Sequence, residues 1–323
     1  MYSLYAIVFG FIIDLFLGDP HRLVHPVVLI GKLIDFLDKK LRSVFPKTPK
    51  GEKTAGLVLW ILTVVVSTGI PILILVICHR ISPWLRLAVE SVMCWQILAV
   101  RSLKTEAMKV YDALKTGDLE KSRKAVSMIV GRDTDRLDDT GITKATVETV
   151  AENSADGSTA PLFYMLFGGA AAGFLYKSVN TMDSMLGYTE PPYKNIGLVP
   201  AKMDDVFNFI PSRVCAILML AAGALLRMRV RNGWKIFKRD RFNHDSPNSA
   251  QTESVCAGLL GVQLSGDAWY HGTLHKKQFI GDPIRPIEHR DIIRACDLHF
   301  ITALFSFLLC IILRIGLLMI LPL

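Results

Sequence analysis

The chain has 323 residues, 51% of them hydrophobic and only 20% charged. Soluble domains carry about 25% charged residues, so this balance, gathered in long apolar runs, excludes an ordinary soluble domain and points to the bilayer. The formal net charge is +8, yet no finger, RNP or basic-zipper pattern is present and the Lys and Arg are not interleaved with aromatics, which excludes nucleic acid as a partner.

The first predicted segment, Met1 to Leu17, holds a single charge, Asp14. It has no basic leader and no small-residue cleavage site, so it reads as a retained membrane segment. Gly56 to Cys78, GLVLWILTVVVSTGIPILILVIC, has no charge and is long enough to cross about 30 Å of hydrocarbon. Pro71 within it predicts a kink. Trp84 to Val100 is a weaker candidate, interrupted by Arg86 and Glu90 at i,i+4. Arg101 to Lys144 is polar and predicts two short helices broken at Thr116-Gly117-Asp118, with Gly131 as a second stop. Apolar runs follow at Ala160 to Tyr176, Ile210 to Leu226 and Ile301 to Leu323. GGAAAGF in the first of these is the kind of small-residue stretch that lets membrane helices approach closely. The cysteines Cys78, Cys94, Cys215, Cys256, Cys296 and Cys310 form no C-x-x-C pair and read as small core hydrophobes.

Loops at about 19–55, 101–157 and 229–298 are rich in Lys and Arg, whereas 177–210 holds only Lys177, Lys194 and Lys202. The positive-inside rule places the first three in the cytoplasm. Six crossings with both ends outside satisfy the rule, as do four with 160–226 packed at the cytoplasmic side or re-entrant. The predicted fold is all-α: a polytopic integral membrane protein with roughly four to six transmembrane helices. Residues 1–323 form a single helical membrane domain with amphipathic helical cytoplasmic loops.

Polar blocks sit at the lips of these segments. GDPHRLVHP crowds Asp19, His21, Arg22 and His25 into a turn fixed by two prolines. His21 and His25 are at i,i+4, but no third ligand follows at zinc spacing. These groups either cap helices at the membrane interface or contact a substrate phosphate. GRDTDRLDDTG alternates Arg132 and Arg136 with Asp133, Asp135, Asp138 and Asp139. It is a self-neutralising solvated loop, or one that offers Arg to phosphate and Asp to Mg²⁺. Asp139 or Thr140 is positioned to cap the next helix.

TVETVAENSADGSTAP sets Glu148, Glu152 and Asp156 four residues apart, on one face of a helix that Gly157 is expected to break. Like charges at this spacing cost a few tenths of a kcal/mol per pair. A solvated face explains the pattern, but an apolar segment follows at once, and carboxylates held near hydrocarbon tend to be functional. YKSVNTMDSMLGY spaces Lys177, Asn180, Asp183 and Gly187 for one helical face, and AKMDDVFNFIPSR carries Asp204, Asp205, Asn208 and Arg213. Interfacial snorkelling accounts for Lys177 and Arg213, not for the aspartates beside them. In HDSPNSAQTESVCAGLLGVQLSGDAWYHG, Ser246-Pro247-Asn248 reads as a turn and Ser249 as an N-cap of a helix ending near Gly261. Asn248, Gln251 and Glu253 there either build the turn or face a substrate. No P-loop, Rossmann fingerprint or H-E-x-x-H motif is present.

In this order, GDP at 18–20 with His25-Pro26, GRDT at 131–134, VETVAENSADGSTAPLFY, YKSVNTMDSMLGY, MDDVFNFIPSR and SPNSAQTES with AGLLGVQL resemble the adenosylcobinamide-phosphate synthases of cobalamin biosynthesis. The resemblance runs from near residue 10 to near 290. One departure is SPNSAQ at 246–251, where the family leads one to expect a Gly soon after Asn; the shape of that turn is affected. The resemblance implies a multi-pass inner-membrane enzyme with its site facing the cytoplasm. Its expected partners are adenosylcobyric acid, (R)-1-amino-2-propanol or its O-2-phosphate, the bilayer, and other late cobalamin-pathway membrane enzymes.

Joining a carboxylate to an amine requires activation, so ATP and Mg²⁺ are expected, with an acyl phosphate between. The catalytic candidates are Glu148, Glu152, Asp156 and Asp183. Glu148, Glu152, Asp156, Asp204 and Asp205 are the candidate metal ligands. His25, Arg132, Asp133, Asn153, Lys177, Asn180, Arg213, Asn248 and Gln251 are the candidates for substrate and phosphate. Two other classes share the gross pattern: a transporter, and a non-catalytic sensor akin to a distant relative associated with β-lactamase regulation. Charges at segment lips rather than inside the clearest spans, and the lack of an inverted repeat, favour the enzyme.

Overall fold

The computed structural model describes residues 2–20, 25–270 and 272–320. His21 and Arg22, read above with the first polar turn, lie outside the described residues, as do Met1 and the last three residues of the C-terminal run. In chain order the helices are α1 (Tyr2–Leu17), α2 (Pro26–Val44), α3 (Pro49–Ile81), α4 (Pro83–Ile97), α5 (Val100–Lys115), α6 (Leu119–Ser127) and α7 (Asp139–Ser154). A π-helical turn (Ala155–Thr159) joins α7 to α8 (Ala160–Leu186). Then come α9 (Leu198–Phe207), α10 (Phe209–Leu225), α11 (Val230–Asp240) and α12 (Ser249–Leu260). Four short strands follow, β1 (Leu264–Ser265), β2 (Ala268–Tyr270), β3 (Thr273–His275) and β4 (Phe279–Ile280), before the last helix, α13 (Arg290–Ile320).

The protein is an all-α polytopic membrane protein. Three helical stretches are long and apolar enough to cross a bilayer: Pro49–Ile81, Asp139–Leu186 and Arg290–Ile320. Leu198–Phe207 with Phe209–Leu225 makes a fourth if the two are one broken span, and Tyr2–Leu17 is apolar but shorter. The chain divides into two compact units. One comprises residues 1–99, 160–208 and 309–323; the other comprises 100–159 and 209–308.

In the first unit, α3 runs through Pro71 as one helix of 33 residues. Its buried positions, Ala55, Leu59, Thr63, Ser67, Pro71 and Leu75, recur every fourth residue. Bulky residues such as Ile61, Val65, Ile70 and Leu73 point outward. That is the arrangement of a helix whose outer solvent is lipid: small and polar groups pack inward, large apolar ones face hydrocarbon. α1 lies close on α4, where a Cβ at Gly10 would come within 2.6 Å of Cys94 Cβ, and Trp95 Nε1 donates to Gly18 O at 2.9 Å.

α8 is broken at Gly168 and Gly169, the latter at φ 59°, ψ −149°, a region open essentially to glycine alone. The GGAAAGF stretch thus serves a break as well as close packing. Arg314 of α13 donates to Leu166 O at 2.6 Å and Phe167 O at 3.1 Å, satisfying carbonyls that the broken helix frees. Glu90 of α4 faces the next half-helix so closely that a Cβ on Gly169 would collide with Oε1.

In the second unit, Val147 and Val150 of α7, Val255 and Leu259 of α12, Met219 of α10 and Phe237 of α11 share one core. Every residue of α12 is buried. α11 crosses it at glycines: a Cβ at Gly258 would meet Gly233 Cα at 2.8 Å. Gly117, at φ 72°, separates α5 from α6 as its sequence predicts. Gly157 does not end α7; the chain passes through the π-helical turn and continues helical. The cap of α7 is Asp138, whose Oδ1 accepts the Gly141 N–H at 2.7 Å. Ser249 is the first helical residue of α12 rather than its cap. β1 pairs with β4, and β2 with β3, both antiparallel; no helical period marks these two- and three-residue pieces.

Candidate active site

The second unit gathers most of the predicted polar residues. On α7, Glu148 and Glu152 face α12, where Ser249 and Glu253 repeat the same four-residue spacing. Glu148 is held by both oxygens: Arg132 Nη2 lies 2.5 Å from Oε2, and the Ser265 N–H donates to Oε1 at 2.6 Å. Glu152 Oε1 accepts from Ser249 Oγ at 2.7 Å. Glu253 is only 4% exposed. Burial pushes its carboxyl well above the usual range, and the negative charges of Glu152 and Glu148 push the same way; Arg132 and Lys277 oppose them. Burial works against the Arg132 charge, but Glu148 beside it, with Tyr270 and Glu253, outweighs this and drives the guanidinium pKa further up.

The lip of this cluster is built by two loops. Asp133 donates its N–H to Trp269 O at 2.8 Å and accepts the Gly272 N–H on Oδ2 at 2.7 Å. The Arg136 guanidinium lies 3.9 Å from the centre of the Trp269 ring. The loop carrying Arg132 is therefore clamped to the β2–β3 hairpin. Lys277 Nζ donates to Tyr270 Oη at 2.9 Å. His244 Nδ1 accepts the Ser246 N–H at 3.0 Å. Burial lowers the His244 pKa, with Lys277 acting in the same direction against Glu152 and Asp245; a neutral imidazole with its proton on Nε2 fits that geometry.

Other predicted residues of this unit shape the site from behind. Asn248 Oδ1 accepts from Arg213 Nη1 at 3.1 Å and from Ser212 Oγ at 3.3 Å. Arg213 also donates to Phe209 O at 2.6 Å and lies over the Phe209 ring. Gln251, fully buried, donates to Pro247 O at 2.9 Å and Arg241 O at 3.1 Å. These three hold the Ser246-Pro247-Asn248 turn that starts α12. Asn153 Nδ2 turns back to Thr149 O at 3.0 Å. Asp156, half-buried, sits on the π-helical turn.

The remaining candidates belong to the first unit. Lys177, Asn180 and Asp183 lie on α8, and the Asp183 carbonyl accepts the Gly187 N–H at 2.7 Å. Asp204 Oδ2 accepts from Asn208 Nδ2 at 3.0 Å, and Asn208 Oδ1 accepts from Tyr176 Oη at 2.9 Å. Asp205 pairs with Lys202 at 3.2 Å. His25 caps α2, its Nδ1 accepting the Val27 N–H at 3.3 Å, with Asp19 3.5 Å from Nε2. Among the described residues, no three His, Cys, Asp or Glu side chains are disposed to hold a metal ion by themselves.

The structure adds His244, Tyr270 and Lys277 to the cluster and brings Glu253, read above as building the turn or facing a substrate, toward Glu148 and Glu152. Glu253 was readable from its i,i+4 relation to Ser249, which mirrors Glu148 and Glu152. Tyr270 and Lys277 carry no local signal, because only the hairpin brings them in.

Known proteins give the same direction. The model of the family described as "CobD/Cbib protein" matches residues 7–299. The chain is 42% identical over 308 residues to "Cobalamin biosynthesis protein CobD" of Clostridium perfringens, covering 95% of this chain and 97% of that one. It is 42% identical over 300 residues to the CobD protein of Listeria monocytogenes, covering 93% and 95%. It is 41% identical over 311 residues to "Cobalamin biosynthesis protein CbiB" of Salmonella typhimurium, covering 95% and 96%. No solved structure matches. With a matching model over nearly all its length and relatives this similar end to end, the chain belongs to the CobD/CbiB family.

Proposed function

We propose that this protein is an acid–amine ligase of cobalamin biosynthesis, joining the propionate carboxylate of adenosylcobyric acid to (R)-1-amino-2-propanol or its O-2-phosphate with ATP as the energy source. Membership of the CobD/CbiB family supports the pathway. The observation that carries the chemistry is the packing of half-buried Arg132 and Glu152 with buried Glu148 and Glu253 in the second unit, with Lys277 close enough to act on Glu253.

A carboxylate resists an amine until one of its oxygens becomes a leaving group. In the proposed reaction the propionate oxygen attacks the γ-phosphorus of ATP and ADP leaves. The amine nitrogen then attacks the acyl carbon, and inorganic phosphate departs. Arg132 and Lys277 present cationic donors to phosphate oxygens. Glu148 fixes the Arg132 fork in place, a positioning role. Glu152, oriented by Ser249, accepts the proton that the ammonium sheds before attack. Glu253, held neutral by its surroundings, donates a hydrogen bond rather than adding a further negative charge.

The donors here are carboxylate oxygens, the kind Mg²⁺ takes, and Mg²⁺ is usually held by one or two carboxylates with phosphates completing its shell. Asp156, one turn beyond Glu152 on the π-helical turn, would supply such an oxygen. When bound, the ion would offset phosphate charge. The reading also places the protein in the inner membrane with this unit toward the cytoplasm, supported by the Lys- and Arg-rich loops.

Purified protein in nanodiscs, given adenosylcobyric acid, MgATP and each amine in turn, tests the proposal. ADP is expected only when corrinoid and amine are both present, with one amide formed per ADP. Failure to join either amine overturns it.

A further inference from the structure

The head of the α2–α3 pair in the first unit borders a half-open cavity of about 490 Å³, within the range of small-molecule sites. Lys39, Arg42 and Lys47 line it, with Glu52 the single carboxylate among the described lining residues, while Phe45 and Ile196 give it an apolar wall. Glu52 is already engaged, its Oε2 accepting from Asn195 Nδ2 at 2.8 Å. The cavity therefore presents net positive charge.

Arg42 is built into this wall. Its Nε donates to Asp38 Oδ1 at 2.8 Å and its Nη1 to Pro192 O at 3.0 Å. Its guanidinium carbon also lies 5.6 Å from the centre of the Tyr193 ring. With its orientation fixed by these contacts, the partly exposed guanidinium offers a preset cationic edge to an anion in the hollow. The location is also informative. The cavity lies at the start of α3, just before the uncharged stretch that begins at Gly56. An adjoining hollow carries Lys50 and Lys53 beside Leu57. Cations thus sit where the polar edge of a bilayer meets its apolar interior.

We propose that this cavity binds a phosphate ester, with Arg42, Lys39 and Lys47 holding its anion. Basic pockets beside membrane helices take phospholipid headgroups, and the same donors would take a soluble phosphomonoester. The site contains none of the residues of the second-unit cluster, so it stands whether or not the ligase reading does.

Binding to the full chain in neutral detergent is measured by calorimetry with two probes, dihexanoyl phosphatidylglycerol and O-phosphoethanolamine. Lys39 and Lys47 are exposed, so the pair Lys39→Gln and Lys47→Gln keeps the fold, and an unchanged unfolding temperature checks this. At least one probe is expected to bind wild type, with affinity falling about tenfold or more in that double variant and in Arg42→Gln. Arg132→Gln, measured below its own unfolding temperature, is expected to leave the affinity unchanged. Binding of the phosphatidylglycerol alone identifies a lipid headgroup as the ligand; binding of O-phosphoethanolamine identifies a soluble ester. Binding of neither probe, equal affinity in wild type and the double variant, or loss in Arg132→Gln instead would overturn the proposal.

Discussion

Arg132 reaches Glu148 across sixteen residues of sequence, Nη2 to Oε2 at 2.5 Å, in a pair whose side chains are 19% and 5% exposed. The pair ties the loop before α7 to the middle of that helix. Removing one partner leaves the other charge buried, a change that typically costs about 3–5 kcal/mol. Glu148→Gln and Arg132→Gln are each expected to lower the unfolding temperature markedly in detergent. The double variant is expected to lose less than the two singles combined. Additive losses would mean that the two side chains act independently.

Ser249→Ala tests the orientation of Glu152. A hydrogen bond to a charged group is worth about 1.5–3 kcal/mol. If Glu152 is the base, loss of this contact is expected to reduce kcat about tenfold or more with little effect on KM for ATP. Glu152→Gln is expected to abolish amide formation while the protein still inserts and folds. Amide formation at the wild-type rate by Glu152→Gln would remove that residue from the chemistry.

Glu253 makes stability depend on pH with a definite sign. Its folded pKa is raised, first by burial and then by Glu152 and Glu148. The folded chain thus holds a proton that the unfolded chain releases near the ordinary value of about 4.3. Stability falls as pH rises from that range toward the raised folded pKa. Glu253→Gln removes this dependence, so the variant is expected to gain in unfolding temperature relative to wild type at pH 8 compared with pH 5. A constant difference between the two across that interval would contradict the assignment.

The break in α8 makes a separate prediction for the first unit. Gly169→Ala places a methyl against the Glu90 carboxylate and forces a backbone region that alanine avoids, at a cost of about 1–3 kcal/mol from backbone strain alone. Arg314→Met strips the donor from the Leu166 and Phe167 carbonyls. Both variants are expected to unfold at lower temperature in nanodiscs; Gly168→Ala escapes the backbone strain, its φ being −130°, but its Cβ would meet Ala172 Cβ at 2.7 Å, so it too is expected to destabilise.

The span at α3 was legible because twenty-three uncharged residues have few other uses. The carboxylate stripe of α7 was legible too, since a period of four is a local property. Its partners were not. Ser265 reaches Glu148 only because residues 264–281 fold back on themselves through strands too short to leave an alternating pattern. Likewise Arg213, Asn248 and Gln251 have the chemistry of substrate ligands, but the fold spends their hydrogen bonds on one turn. Composition names the donors available; only tertiary contact decides which groups they serve.

The complete burial of α12 has a consequence for motion. A helix enclosed on every side opens only when the surrounding unit opens with it. Its backbone amides from Cys256 to Leu260 should therefore exchange with deuterium among the slowest in the second unit, and those of the β2–β3 hairpin, with Thr273 and Leu274 exposed, much faster. Ser249 and Glu253 ride on that slow element. A large substrate entering this cluster would meet a fixed inner wall, and the adjustments needed to admit it would fall to the hairpin and the Arg132 loop.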